Sequence, residues 1–514
     1  MSKTIIIIGA GLAGLSAALQ AAENGCNVKL VSSLPSERAQ SVMAEGGINA
    51  ALNTKDENDS PEEHFTDTIK AACGLADPNA VWGMTQAAPE LVHWLLKLGV
   101  KFNMSGYDDV DLRNFGGQKK KRTAFAQSDT GKQIMTAMID AVRRKEASGM
   151  VERFSHHSFL TLRLCGNICC GCVIRDEYSQ ETVELPGDAV IVATGGMHGL
   201  FGNTTGSLSN TGEVTAELFR LGVPLANGEM IQYHPTTVKC GGKRMLISEA
   251  ARGEGGRLFA MKDGKQWYFM EEKYPELGNL MPRDITAREI WKVSHESEVF
   301  LDMTEISKEV ISNKLSGLAD DCMTYLHKDI RKEPVPVLPG IHYFMGGILV
   351  DEQHRPSIQN LYAAGECCAQ YHGANRLGGN SLLGALYGGR VAAKSACEQA
   401  DVVELSCATQ IDVPPASQIS EIKQLNKVMQ ETMGVVRNEN TLLNGIQTVQ
   451  ALTGNLPLLG MAVLKSALAR KESRGAHWRE DYPKSNDDDY LKTTVARFDG
   501  KQIQISFVPV PERR

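Results

Sequence analysis

Residues 4–32 read TIIIIGAGLAGLSAALQAAENGCNVKLVS, and this stretch predicts the core of the fold. The β-branched run at 5–8 is bounded by glycine, which is typical of a buried parallel strand. Apolar residues at helical spacing follow over 12–24 and stop at Gly25, and a second strand is predicted at 28–31. The stretch therefore predicts a strand–helix–strand unit of about thirty residues, typical of a doubly wound α/β fold.

The turn between the first strand and the helix carries the pattern Gly9-x-Gly11-x-x-Gly14. Glycines in such a turn let the backbone approach a pyrophosphate, which lies at the N-terminus of the helix. NAD-binding folds usually place an acidic residue at the end of the second strand, but this chain has Ser32 and Ser33 there. We expect the Ser32 hydroxyl to bond a ribose, and the missing carboxylate disfavours NAD.

Two further strands end in glycine far along the chain, AVIVATGG at 189–196 and LYAAGE at 361–366. Each would bring the carboxyl end of a strand to the crevice in which this fold class binds dinucleotides. A carboxylate at Glu366 is suited to hold a ribityl or ribose hydroxyl. Three strand ends at one crevice favour a long ligand such as FAD over a mononucleotide.

The overall charge excludes some classes of partner. The 514 residues include 54 Lys and Arg and 61 Asp and Glu, a net charge of −7, which disfavours a nucleic-acid coat or a polybasic membrane anchor. Residues 4–22 are uncharged and imitate a signal peptide, but the glycine motif explains them better. No other stretch approaches the ~20 apolar residues of a membrane span, so we expect a cytoplasmic protein.

The twelve cysteines show no regular spacing, which favours a reducing compartment. Cys165, Cys169, Cys170 and Cys172 crowd one predicted strand, where alternation sends neighbours to opposite faces. We therefore expect packed or free thiols and assign no metal site.

The basic run at 119–122 follows two glycines, so both a solvated surface and a phosphate-facing role stay open.

Periodicity predicts the remaining elements. They are a loop at 53–63, a three-stranded sheet or hairpin at 159–185, a strand at 502–508, and helices at 87–98, 213–221, 284–296, 305–317, 381–399 and within 415–474.

Several motifs together resemble the flavoprotein subunits of succinate dehydrogenase and fumarate reductase. They are EGGIN at 45–49, NFGG at 114–117, HPT at 234–236, SEAARGEGG at 248–256, PRD at 282–284, HYFMGG at 342–347, HGANRLGGNSLL at 372–383 and SRGAH at 473–477. The related L-aspartate oxidases share most of these motifs. The resemblance runs in order from residue 4 to about 400 and resumes near the C-terminus.

The resemblance implies a Rossmann-like FAD-binding domain with an inserted α+β capping domain and a C-terminal helical domain. Here the FAD-binding domain would comprise 1–232 and 341–400, the cap 233–340, the helical domain 401–480 and a tail with short strands 481–514. The active site would lie between the cap and the flavin.

The resemblance also implies which residues act. The implied FAD contacts are Gly9, Gly11, Gly14, Ser41, Gly46, Gly47, Glu213, Glu366, Ser381 and Leu382. The implied substrate contacts are His234, Ser248, His342 and Arg376, and the implied proton-transfer residues are Arg283, Glu249 and Arg252. The substrate would be a C4-dicarboxylate, and an iron–sulfur protein subunit would donate electrons and provide any attachment to the inner face of the cell membrane.

These residue types suit fumarate reduction. Hydride transfer from flavin N5 leaves negative charge on the substrate, which cationic or hydrogen-bonding side chains stabilise. Arg376 suits a bidentate carboxylate clamp. The family implies Arg283 as the general acid, although a free guanidinium has a pKa above ~12. Glu249 and Arg252, at i and i+3, would face one side of a helix and return the proton to Arg283.

One residue departs from the family pattern. Membrane-bound relatives carry flavin covalently on a histidine before the Gly-Gly loop, and Gln40 aligns with that position. A carboxamide is a poor nucleophile, so we expect non-covalent FAD, effective fumarate reduction and weak succinate oxidation.

Two other functions remain open. One is a stand-alone flavin oxidase or enoate reductase, such as an L-aspartate oxidase, and the other is a non-catalytic FAD-binding assembly protein. The converging cationic set of His234, Arg283, His342 and Arg376 disfavours the second.

Overall fold

A five-stranded parallel sheet forms the centre of the FAD-binding unit. The computed structural model describes residues 2–106, 109–400, 411–413 and 418–514. The strands lie in the order Leu361–Ala363, Ala189–Val192, Thr4–Ile8, Asn27–Ser32 and Val151–Ser155. The three strands predicted to end at glycine are therefore adjacent, and their carboxyl ends lie at one edge of the sheet.

Helices cover one face of this sheet. They are Leu12–Glu23, Pro78–Leu98, Thr130–Ala147 and Asn380–Gln399, whose apolar residues share one core with the strands. Ser16 Oγ donates to the Leu386 carbonyl at 2.7 Å. A Cβ built on Gly389 would lie 2.3 Å from the Ala13 carbonyl oxygen, so glycine permits the close contact between the first and last of these helices.

An antiparallel meander covers the other face. Its strands are His157–Cys165, Ile168–Asp176 and Thr182–Pro186, as the spacing of turns at 159–185 predicts. Ile6, Ile8 and Val31 of the parallel sheet share a core with Leu162 and Ile174 of the meander. Both faces of the central strands are therefore buried, which explains their continuous apolar runs.

The inserted α+β unit has a core of its own. Its strands are Ile231–Cys240, Lys243–Leu246 and Leu338–Phe344 in one sheet, and Arg257–Lys262, Lys265–Trp267, Val299–Asp302 and Val335–Pro336 in another. Its helices are Glu249–Gly253, Phe269–Lys273, Arg283–Val293, Lys308–Lys314 and Ser316–Leu326. The helix predicted at 305–317 is wrong in extent, because the chain breaks at Leu315 and a second helix continues to Leu326.

The C-terminal region begins with three helices and ends in strands. The helices are Ile419–Thr432, Glu439–Val449 and Asn455–Ala469. Strands Lys492–Phe498 and Ile503–Pro509 form a hairpin that joins Leu225–Ala226, Gly347–Leu349 and Cys368–Ala369 in a five-stranded sheet. The predicted tail is thus integrated with the FAD-binding unit. Part of the predicted helical domain, 401–410 and 414–417, lies outside the described residues.

The loop predicted at 53–63 ends earlier than expected. A helix, Pro61–Ala71, starts after Ser60, whose Oγ accepts from the Glu63 amide at 3.2 Å. The helix predicted at 87–98 begins at Pro78, with Asp77 as its cap. Both starts have the sequence of a capped helix with proline in the first turn.

The remaining elements are short. They are strands Ile48–Asn49, Leu112–Arg113 and Thr123–Ala124, helices Glu213–Arg220 and Asp487–Tyr490, and 3₁₀ turns Ser36–Arg38, Gln40–Met43, His198–Leu200, Gly278–Leu280 and Gly365–Cys367. Within the described ranges, no helix combines the length and apolar character needed to cross a bilayer.

The fold class predicted from the sequence is confirmed: an α/β FAD-binding unit carries an α+β insertion and a helical C-terminal region. The limits 1–232 with 341–400, 233–340, 401–480 and 481–514 stay predictions. The hairpin near the C-terminus pairs with Leu225–Ala226, which lies before the insertion and pairs in turn with Gly347–Leu349 after it. The segment after residue 481 therefore belongs to the same sheet as parts of the FAD-binding unit.

Candidate active site

A single cavity of about 1100 Å³ runs from the glycine turn to the inserted unit. Most of the predicted site residues line it. They are Gly9, Gly11, Ser32, Ser41, Gly46, Gly47, Glu213, Glu366, Ser381 and Leu382 on the FAD-binding side, and His234, Ser248, Glu249, Arg283, His342 and Arg376 on the opposite side. Gly14 and Arg252 lie behind this lining.

The glycine turn has the geometry that a dinucleotide requires. Gly9 has φ +110°, and a Cβ on Gly14 would lie 1.8 Å from the Gly9 carbonyl oxygen. At Gly11 the nearest protein atom to an added Cβ is Ser41 Oγ at 3.7 Å, so protein packing would admit a side chain there. Glycine at position 11 is explained by a ligand instead, because a pyrophosphate at this helix N-terminus needs that space. The residues present therefore fit FAD.

Two polar side chains are fixed beside this turn. Glu366 Oε1 accepts from the Phe344 amide at 3.1 Å and lies 3.6 Å from His198 Nε2. Gln40 lines the cavity, and its Oε1 accepts a hydrogen bond from the Ser207 amide. The carboxylate predicted to hold a sugar hydroxyl is thus held in place by a backbone amide.

Three charged residues form a buried chain at the other end of the cavity. Arg283 donates through Nε and Nη2 to Glu249 Oε2, at 2.8 and 2.5 Å. Arg252 Nη2 lies 3.3 Å from Glu249 Oε1. Burial acts to raise the pKa of Glu249, but the two arginines lower it below its ordinary value. The carboxylate is therefore ionised between two guanidinium groups.

Sequence reasoning missed Gln232, which holds two of these residues in position. Its Oε1 accepts from Arg283 Nη1 at 3.1 Å. Its Nε2 donates to the Arg376 carbonyl at 2.8 Å and to Asn375 Oδ1 at 2.9 Å. Gln232 lies two residues before His234 on strand Ile231–Cys240, and period-two alternation from His234 is the signal that could have identified it.

The two predicted site histidines are neutral. Burial, together with the nearby Arg283, lowers the pKa of both His234 and His342 well below the usual range. Their ring centroids are 5.1 Å apart, and the His342 Nδ1–Thr205 Oγ1 distance is 2.7 Å. The expectation of four converging cations is therefore corrected: the arginines carry the charge, and the imidazoles are neutral hydrogen-bonding groups.

Arg376 is a buried cation without a carboxylate partner in the described ranges. Its guanidinium carbon lies 4.3 Å from the centroid of the Tyr343 ring, and its Nε has no protein hydrogen-bond partner there. Burial, and next the charge of Arg283, lowers the pKa of Arg376 to about 9. A buried unpaired donor is costly unless a ligand satisfies it, so this residue suits an anionic substrate.

Ser248 and Glu45 complete the lining. Ser248 Oγ caps the short helix Glu249–Gly253 by accepting from the Ala250 amide at 3.4 Å. Glu45 belongs to the EGGIN motif but was not predicted as a site residue. Burial raises the pKa of Glu45 to about 8. The nearby charge of Asp321 adds to this effect, and the charge of Arg113 opposes it. The cavity therefore contains one carboxyl group that holds its proton near neutral pH.

The basic run at 119–122 has a structural role. Arg122 is fully buried and pairs with Asp59 and Asp67, at 2.8 and 3.0 Å. Lys120 Nζ donates to the Asn58 carbonyl at 3.1 Å. These contacts fix the loop before Pro61–Ala71, which leaves the phosphate-facing alternative without support. In the described residues no group of three or more His, Cys, Asp or Glu side chains is arranged to hold a metal ion.

Family models match most of the chain. One described as an FAD binding domain matches residues 4–382, and one described as the fumarate reductase flavoprotein C-term matches residues 452–513.

Known relatives match over the whole length. The succinate dehydrogenase flavoprotein subunit of Bacillus subtilis (strain 168) is 38% identical, over 100% of this chain and 98% of that protein. The 8-methylmenaquinol:fumarate reductase flavoprotein subunit of Wolinella succinogenes is 32% identical, over 100% and 92%. A solved structure of a mutated FrdA of Escherichia coli quinol fumarate reductase has a TM-score of 0.89 and 27% identity, over 99% and 97% of the two chains.

Proposed function

The chain belongs to the family of FAD-dependent succinate dehydrogenase and fumarate reductase flavoprotein subunits, and from this membership we propose that it interconverts fumarate and succinate and favours fumarate reduction. One observation carries the proposal. The buried Arg283–Glu249–Arg252 chain and the unpaired Arg376 reach the cavity that also contains the glycine turn. A dicarboxylate in this cavity would meet both arginines.

The substrate is bound by Arg376 and by the two site histidines, which line the cavity. Arg376 takes one carboxylate through its guanidinium. His234 and His342 are neutral, so they bind by hydrogen bonding, and His342 is held by Thr205. Positive charge on the two arginines stabilises the additional negative charge that develops during reduction more than it stabilises the ground-state substrate.

FAD, when bound, supplies the hydride. Arg283 holds the proton that the substrate carbon receives after hydride transfer. Glu249 accepts hydrogen bonds from Nε and Nη2 of Arg283 and forms an ion pair with Arg252. A proton that Arg283 gives to the substrate is therefore replaced through the Glu249 carboxylate. Gln232 fixes the remaining Nη1 of Arg283 and the backbone of Arg376, which sets the distance between proton donor and carboxylate clamp.

The cofactor is held without a covalent bond. Gly9, Gly11 and Gly14 form the pyrophosphate turn, while Ser32, Ser41, Gly46, Gly47, Glu213, Glu366, Ser381 and Leu382 supply the further contacts. Gln40 stands where the membrane-bound relatives carry a histidine, and its carboxamide is engaged by the Ser207 amide.

Electrons come from an iron–sulfur partner subunit. The relatives named above are called flavoprotein subunits, and the described residues hold no cluster ligands of their own. Any contact with a membrane would then be made through partner subunits. Recovery of a fully active single chain with a soluble electron donor would contradict this assignment.

A substrate panel tests the proposal. Purified FAD-loaded protein with reduced viologen should reduce fumarate, and with an artificial acceptor it should oxidise succinate at least about tenfold more slowly, a barrier difference of about 1.4 kcal/mol. Oxidation of L-aspartate in place of these reactions would select the stand-alone oxidase. No turnover with any unsaturated or amino dicarboxylate would favour a non-catalytic assembly protein.

A further inference from the structure

Two cysteines meet at the ends of the helices that point away from the dinucleotide turn. Cys26 lies between helix Leu12–Glu23 and strand Asn27–Ser32, and Cys397 lies in the last turn of helix Asn380–Gln399. Their Sγ atoms are 2.9 Å apart, although 371 positions separate them in sequence. A disulfide bond is about 2.05 Å long, so bonding requires the sulfurs to approach by less than about 1 Å.

Adjacent positions in the sequence do not by themselves bring two cysteine sulfurs together, as Cys367 and Cys368 show. Cys367 and Cys368 are adjacent, but their sulfurs engage different carbonyls, of Val192 at 3.3 Å and of Gly365 at 3.2 Å. The fold, rather than the sequence spacing, brings Cys26 and Cys397 together.

We propose that Cys26 and Cys397 are a redox modification site that forms a reversible disulfide with a disulfide oxidant such as glutathione disulfide. The Cys397 thiolate, the more exposed of the two, attacks glutathione disulfide, breaks its S–S bond and releases one glutathione thiolate. The Cys26 thiolate then attacks the Cys397 sulfur and releases the second. The two glutathione thiolates take up the two protons that the cysteines lose.

The resting state of this site is the dithiol. Both residues are free in the structure, and burial raises the pKa of the Cys397 thiol above its ordinary value. Lys3 Nζ donates to the Cys397 carbonyl at 2.7 Å, which fixes the backbone that carries this sulfur. The Cys397 sulfur is therefore held in position beside Cys26 until an oxidant reaches it.

The bridge would join two elements that both hold the cofactor. Leu12–Glu23 starts at the glycine turn, and Asn380–Gln399 starts beside Ser381 and Leu382 in the cavity lining. The helices already pack closely through Ser16 and Gly389. A covalent link at their other ends closes a very long loop of chain, so it reduces the freedom of the unfolded state and stabilises the fold.

The test uses the full-length, FAD-loaded protein incubated with glutathione disulfide without denaturant. We expect a mass loss of about 2 Da, the two hydrogens removed, and a proteolytic peptide that joins Cys26 to Cys397. We also expect a rise in Tm of at least about 3 °C. Dithiothreitol should reverse both changes. These readouts do not depend on the substrate proposed above.

Three variants make the test specific. Cys26→Ser and Cys397→Ser should each abolish the mass loss and the Tm rise, whereas Cys240→Ser, which alters a partly exposed cysteine elsewhere, should keep both. A stable glutathione adduct at Cys397, or a joined peptide that forms only after denaturation, would overturn the proposed site. A bridge that leaves Tm unchanged would overturn its stabilising effect.

Discussion

The chemistry of the proposed reaction depends most directly on Arg283. Its removal leaves the buried Glu249 with one cationic partner and takes the proton donor out of the cavity. We expect Arg283→Ala to retain FAD and to lose at least ~10²-fold in kcat for fumarate reduction, the usual scale for general acid catalysis. Steady-state kinetics and the flavin absorbance of the purified variant provide the measurement.

A matched control distinguishes the loss of an arginine in the site from the loss of an arginine at the surface. Arg143 is exposed, and its nearest acidic partners are at the surface, so Arg143→Ala should keep its turnover. Near-normal kcat in Arg283→Ala would remove this residue from the mechanism.

Attachment of the flavin depends on a single residue, Gln40. Its carboxamide cannot replace an imidazole nitrogen as carrier of the flavin 8-methyl carbon, so acid precipitation should release the yellow cofactor into the supernatant. A covalent link withdraws electron density and raises the flavin potential, so its absence should leave a more reducing flavin. Tryptic digestion of the precipitate is the control. A fluorescent flavin peptide would show that another residue forms the bond.

At the scale of elements, the glycine turn and the helix that follows it act as one rigid part. A Cβ on Gly14 would lie 1.8 Å from the Gly9 carbonyl oxygen, and backbone at that distance must move. We expect Gly14→Ala to yield folded protein with less than about half the FAD content and a stability lower by ~1–3 kcal/mol. The flavin-to-protein absorbance ratio after gel filtration, with circular dichroism, tests this.

The control is a glycine with room for a methyl group. A Cβ added at Gly434 would lie 3.5 Å from the Val436 carbonyl oxygen, an ordinary van der Waals distance. Gly434→Ala should therefore keep its FAD. Equal FAD content in the two variants would show that the turn tolerates displacement.

Elements with a strong local pattern were predictable from the sequence. The strands at 5–8 and 189–193 have continuous apolar runs, and Lys29 alone interrupts the run at 28–31, because helices and the meander cover both faces of the sheet. The pairing of Lys492–Phe498 with Leu225–Ala226 was not predictable, since it joins segments far apart in the chain. Helix Pro61–Ala71 was missed because its acidic first turn follows a polar stretch and reads as an extension of the loop.

In the candidate site too, residues with a local sequence signal were predictable and residues that depend on long-range contacts were not. Residues within recognisable motifs were found by resemblance, and most of them line one cavity. Gln232 and Glu45 were missed because their importance depends on the folded chain, which brings Gln232 to Arg283 and buries Glu45 near Asp321.

At the scale of the whole molecule, Glu45 links stability to pH. Burial raises the pKa of this carboxyl group from 4.5 to about 8, and the nearby charge of Asp321 adds to the effect. The folded state therefore retains a proton that the unfolded state has released. The stabilising effect of that proton is complete below pH 4.5, is lost progressively as pH rises through the folded pKa, and is absent above it. A neutral amide at this position does not titrate.

We therefore expect the Tm of the native protein, measured with saturating FAD, to fall relative to that of Glu45→Gln as pH rises from 5 to 8. Glu181→Gln changes an exposed glutamate and should give a curve parallel to the native one. Thermal melts of the three proteins at several pH values supply the comparison. Parallel curves for the native protein and Glu45→Gln would show that Glu45 is ionised in the folded state, and the cavity would then contain a fixed negative charge beside Gly46 and Gly47, the proposed FAD contacts.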